Sequence, residues 1–227
     1  MESSALGIDL GDFVDVASFD RVSVQAWTAL PDQGHRQAFG VGWNGMAYRA
    51  LGASLCVAPF RQLFADEPAA HALVRYQQDD LLFRFVTNAS AAVDCAVYAA
   101  HVAALGFGGD AVSTTKLSDK RASMMKRITD VPRTAKLADV IKTELDSPAS
   151  KSLIVSRDVM LHRGRMPRNH FVGGPFDGQI TVSHNPKASP PEWQNTVVFD
   201  AKRLDPWIEW LPQFIEACTR ELTAVLG

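Results

Sequence analysis

The sequence predicts an all-α fold: an up-and-down helical bundle with a small β-hairpin or irregular excursion before the last helix. Three observations carry that expectation. Apolar residues recur at three-to-four spacing through most of the chain. One stretch, residues 68–106, holds that pattern longest and is apolar around most of its circumference. The β-prone runs are confined to two short pieces, residues 179–183 and 196–199.

Residues 1–15 read as a loosely ordered acidic lead, with Glu2, Asp9, Asp12 and Asp15. A first helix is expected from Ser18, a residue type suited to the N-cap, with Phe19, Val22, Ala26, Ala29 and Leu30 on one face. Pro31 and Gly34 stop it. Residues 37–55 contain Gly40-Val41-Gly42-Trp43-Asn44-Gly45, a literal GxGxxG. No strand precedes it and no βαβ pattern surrounds it, so a dinucleotide loop is not supported. The spacing reads instead as a helix whose small residues permit close packing, anchored by Trp43, Met46, Ala47 and Leu51. Pro59 ends or interrupts it.

Asp66 and Pro68 make a helix start, cap and first turn respectively. From there Leu81, Leu82, Phe85, Val86, Ala89, Val93, Ala96, Val97 and Ala100 mark the expected central helix. A narrow, mostly polar stripe runs along it: Asp80, Arg84, Asn88 and Asp94, with Ala91 between. Buried charges must be paired, so the stripe serves either internal ion pairing or support of a site facing it. The run Gly106 to Gly109 closes the helix. Short helices are expected over 118–128 and 134–145, and Pro148 opens another over 148–163. Residues 165–200 form the excursion, rich in Gly, Pro, Asn and Ser. Asp205-Pro206 starts the last helix, with Trp207, Trp210, Leu211, Phe214, Ile215, Cys218, Leu222 and Val225 inward and Pro212 a kink. No linker is evident, so residues 1–227 read as one domain.

At 47% hydrophobic and 21% charged residues, the chain has the composition of an ordinary soluble globule. Cys56, Cys95 and Cys218 form no CxxC, which argues against a disulfide framework or zinc site and fits a reducing cytoplasm. The six histidines are scattered and form no HExxH, so no metal is expected, and without a GxSxG a serine-nucleophile hydrolase is not supported; no cofactor is expected. The acidic start lacks the basic end of a secretory signal. The apolar run 38–60 is broken by Asn44 and Arg49, so no membrane span is expected there. Charge is unevenly spread. Residues 113–168 carry 13 Lys/Arg against 6 Asp/Glu, whereas residues 1–112 carry 6 against 12. A local positive field suits a polyanion, and a solvated helix face explains it equally well.

Within the basic third lies Arg157-Asp158-Val159-Met160-Leu161-His162, followed by Arg163, Arg165 and Arg168. Residues four apart share a helix face, so Asp158 can reach His162 and give the imidazole a carboxylate partner. Arg157 lies roughly 140° around the helix from His162. One motif therefore aims the two side chains imperfectly at one group, and two motifs meeting across a dimer axis would make them converge.

The pattern Arg, a polar residue, three residues, His resembles the signature of the HEPN superfamily, small helical bundles of prokaryotic defence and toxin ribonucleases. Residues 76–88 also look like the long helix of uncharacterised bacterial HEPN-like proteins, and the resemblance covers roughly residues 68–164. It implies a metal-independent ribonuclease or RNA-binding protein. Arg157, Asp158 and His162 would be its catalytic residues, with Arg163, Arg165 and Arg168 on the RNA backbone. A homodimer, and an antitoxin or other protein partner, go with that reading. The alternative is a non-catalytic dimeric interaction module, because fold resemblance does not carry activity.

Overall fold

Asp15 accepts hydrogen bonds from the backbone N–H groups of Ala17 and Ser18, and so caps the first helix, α1 (Val16–Ala29). The expected cap, Ser18, instead sits inside the first turn and donates its hydroxyl to the same carboxylate. The computed structural model describes residues 15–65, 72–112, 120–163, 168–170, 180–183 and 196–227. The fold is all-α: among the described residues, helices follow at α2 (Gln33–Ser54), α3 (Val57–Ala65), α4 (Ala72–Gly108), α5 (Arg121–Asp130), α6 (Ala135–Leu145), α7 (Pro148–Arg163) and α8 (Asp205–Leu226). Three short strands, β1 (Arg168–His170), β2 (Ile180–Ser183) and β3 (Thr196–Val198), pair antiparallel in the order β1-β2-β3. The expected start at Asp66 and Pro68 lies outside the described residues. Pro59 stands in the first turn of α3, where its missing N–H costs no helical bond.

The chain groups into two compact units: Met1–Leu51, Ala91–Ser147 and Leu211–Gly227 in the first, Gly52–Ser90 and Pro148–Trp210 in the second. Trp43 centres the core of the first unit. It is fully buried, lies parallel to Phe19 with ring centroids 5.3 Å apart, and meets Phe39 at 6.1 Å. Its indole N–H donates to the Phe19 carbonyl at 3.1 Å, so no polar atom of the ring is stranded. Of the glycines in α2, Gly42 is the one that close packing against α4 requires. A Cβ there would stand 2.9 Å from the Ala99 backbone nitrogen and 3.0 Å from the Cys95 carbonyl oxygen. Only glycine lets α2 and α4 approach that closely.

The C-terminus of α4 closes on Gly109, whose φ of 74° is the left-handed conformation that glycine adopts without strain. The Asp110 N–H then returns to the Leu105 carbonyl at 3.0 Å. Buried His35 fixes this end: its Nε2 is 2.8 Å from the Asp110 carbonyl oxygen and its Nδ1 is 2.9 Å from Asp32. The other oxygen of Asp32 accepts the His35 backbone N–H, and these bonds hold the Asp32 carboxyl below its usual range.

On α8, Glu221 is buried and receives Lys136 at 3.0 Å and Arg220 at 3.3 Å. The Lys136 hydrogen bond, with Arg220 behind it, holds the Glu221 carboxyl below its ordinary 4.5 although burial pushes the other way. A depressed folded value contributes stability above the unfolded one and loses it as pH falls through the folded one. Glu221→Gln should therefore lower the melting temperature by a few degrees at neutral pH, and the difference from wild type should shrink as pH falls below the unfolded value and close once pH has fallen through the depressed folded one. Parallel melts across the acid range check this.

In the second unit Trp207 is the centre. It is fully buried, stacks on Phe85 at 6.0 Å and donates its indole N–H to the Ser152 hydroxyl at 2.8 Å. Phe60, Phe64 and Phe199 form a second cluster, with centroids 5.1 to 6.1 Å apart. Arg203 lies over Trp207, and desolvation lowers its guanidinium to about 10.

Candidate functional site

Helix α7 begins at Pro148 and buries Ser150, Leu153, Ser156, Val159 and Met160, a stripe at helical spacing that fixes its rotation. That rotation leaves Arg157 and Asp158 partly open, at 30% and 25% side-chain exposure. The Asp158 carboxylate accepts from Arg157 Nη2 at 3.1 Å and from Nε at 3.3 Å. From the other side Arg157 Nη1 donates to the hydroxyl of Ser90 at 3.1 Å. Asp158, which the sequence spacing offers to His162, is thus also the neighbour that holds the arginine. The guanidinium is oriented by one carboxylate and one buried hydroxyl, and its edge reaches solvent. Such a group can grip a phosphoryl oxygen, in competition with Asp158.

His162 and Arg163 occupy the last turn of α7, and Arg168 opens β1; the backbone alone places them. Arg165 lies outside the described residues.

Ser90 was not among the residues the sequence singled out. In sequence it is one hydroxyl among several polar residues of α4; the structure buries it to 1% exposure, and buried hydroxyls need partners. The polar stripe resolves into separate contacts. Arg84 and Asp80 pair at 3.6 Å on the surface, 62% and 44% exposed. Asn88 donates to the Arg84 carbonyl at 2.9 Å and fills the space over Gly52. Asp94 receives Arg121 of α5, Nε to Oδ1 2.9 Å.

The basic third looks different once folded. Arg121 goes to Asp94, Arg127 to Asp110, Lys136 to Glu221 and Lys126 to Asp130. Arg133 donates to the Val225 carbonyl at 2.8 Å and stacks on Phe107 at 4.1 Å. Three of those acids lie outside residues 113–168, so much of the local positive excess is neutralised within the first unit. Lys120 and Lys142 remain exposed.

The cysteines are free, and burial pushes the Cys56, Cys95 and Cys218 thiols up, which leaves them protonated and unreactive. Among the described residues no group of three His, Cys, Asp or Glu could hold a metal ion. Among the described residues one helical stretch, Leu73–Gly108, is long and apolar enough to cross a membrane by length and composition, and 56% of its most apolar window is buried inside the protein. Comparison with protein-family models, with curated proteins and with solved structures gives no significant match.

Proposed function

We propose that this chain is a HEPN-type protein that binds RNA and cleaves it without a metal, through Arg157 and His162. One observation carries the reading: a partly open guanidinium oriented by Ser90 and Asp158, five residues before a histidine on the same helix. The all-α fold is the one the resemblance implies. In this mechanism His162 takes the proton from a ribose 2′-OH, and the oxygen attacks the adjacent phosphorus. The bond to the 5′-oxygen breaks, that oxygen collects a proton from water or a second histidine, and a 2′,3′-cyclic phosphate remains. Arg157 stabilises charge on the phosphoryl oxygens. Arg163, Arg165 and Arg168 hold the backbone. A two-fold dimer brings two motifs together, because Arg157 and His162 diverge by about 140° on α7. A cytoplasmic location and an antitoxin or other protein partner belong to the same proposal.

A second reading, a helical interaction module without catalysis, is favoured by exposed apolar side chains in the first unit: Val24 and Trp27 on α1, and Val41 and Tyr48 on α2. Single-stranded RNA separates the two. The nuclease should cut it in EDTA and leave cyclic-phosphate ends. Arg165→Ala and Arg168→Ala should weaken binding modestly and reduce its salt dependence by about one ionic contact each. Intact RNA after prolonged incubation would leave the module standing.

A further inference from the structure

We propose that a cleft between α3 and the N-terminal part of α4, in the second unit, binds a small organic cation with an apolar body, an alkyl- or arylalkylammonium. The cleft holds about 390 Å³, within the range of ligand pockets. Pro59, Leu63 and Leu81 supply apolar wall, and Gln62 and Gln77 supply neutral amides. Tyr76 and Asp80 are four apart on α4, and so stand on one face with an aromatic ring beside a carboxylate.

The lining selects charge. Among the described residues it contains no Lys, Arg or His, and Asp80 is the one acidic side chain there. An anion would find no partner there, whereas an ammonium gains the carboxylate and the face of the Tyr76 ring together. Tyr76 is 69% exposed and Leu73, one turn earlier, 66%, so apolar surface lies open beside the carboxylate. The present partner of Asp80 is Arg84, held at 3.6 Å on the surface. A pair of that kind is worth little and can be displaced.

Phenethylammonium is the probe, titrated into the full chain and followed by calorimetry and by backbone amide shifts. Saturable binding is expected, with shifts concentrated at 59–63 and 76–81. Phenethyl alcohol, nearly the same body without the charge, and phenylacetate should bind at least about tenfold more weakly. Asp80→Asn should weaken the ammonium by about tenfold or more. Arg84→Gln should tighten it severalfold by removing the competing cation, an effect that general loss of structure would not produce. Both positions are exposed enough for the variants to keep wild-type circular dichroism. Equal binding of alcohol and ammonium, indifference to Asp80→Asn, or no saturation below about 10 mM would each overturn the site. None of these readouts involves RNA, so the result stands or falls apart from the nuclease reading.

Discussion

Trp43→Ala is expected to destabilise the protein by about 3–5 kcal/mol, the range for removing a fully buried large aromatic. Three losses combine at this position. The Phe19 and Phe39 rings each lose a stacked face, the Phe19 carbonyl loses its indole donor, and a cavity opens where α1 and α2 meet. The backbone cannot close that cavity freely, because α2 is already held against α4 at Gly42, where the Ala99 nitrogen and Cys95 oxygen leave no slack. At about 2–4 °C per kcal/mol for a chain of this size, the melting temperature should fall by roughly 6–20 °C. Trp27→Ala is the matched control. That ring is 59% exposed with Arg36 over it, and its loss should stay within about 0.5 kcal/mol. Equal costs for the two tryptophans in chemical denaturation would show that the core is not organised around Trp43.

Much of this was legible in the sequence, and the reasons are local. Pro148 and Asp205-Pro206 mark helix starts because proline at the first turn gives up no bond. The face of α8 is read from Trp207 to Val225 by periodicity alone, and those residues are buried. The GxGxxG falls inside α2, as the missing strand before it implied; Gly42 serves helix–helix approach, whereas a Cβ at Gly40 would meet nothing within 4 Å. The first cap was misplaced by three residues: Asp15 and Ser18 are both good caps, and only the geometry of the Ala17 and Ser18 amides decides between them.

What stayed hidden was long-range. Nothing near Arg121, Arg127 or Lys136 says that Asp94, Asp110 and Glu221 are their partners, so a segment that pairs with distant acids reads as a free positive face. The division into two compact units leaves no mark either. Three of its four boundaries fall inside α2, α4 and α8, where an uninterrupted helix carries no linker composition, and the fourth lies in the two-residue connection between α6 and α7. Ser90 and Arg157 are 67 residues apart, beyond the reach of spacing arguments.

That contact shapes the most informative experiment on the motif. On the proposed nuclease reading, His162→Ala should abolish RNA cleavage while moving stability by no more than about 0.5 kcal/mol, since a group kept for proton transfer adds little to packing. Arg157→Ala should cut the rate by about 10²–10³-fold, the usual scale for losing one donor to a developing oxyanion. It should also destabilise by about 1–3 kcal/mol, because the Ser90 hydroxyl and the Asp158 carboxylate both lose their guanidinium. Activity loss in that variant alone is therefore ambiguous. Arg157→Lys resolves it: an ammonium keeps the charge for Asp158 but lacks the planar fork that spans Asp158, Ser90 and a phosphate at once. Stability should largely return while cleavage stays at least about tenfold down. Ser90→Ala makes the complementary test. It removes the hydroxyl that aims the guanidinium, so kcat should fall by about tenfold while RNA affinity, set by backbone contacts, holds. In an interaction module the ranking inverts. Arg157→Ala would still melt early, and His162→Ala, Arg157→Lys and Ser90→Ala would share one RNA phenotype with the wild type, namely none.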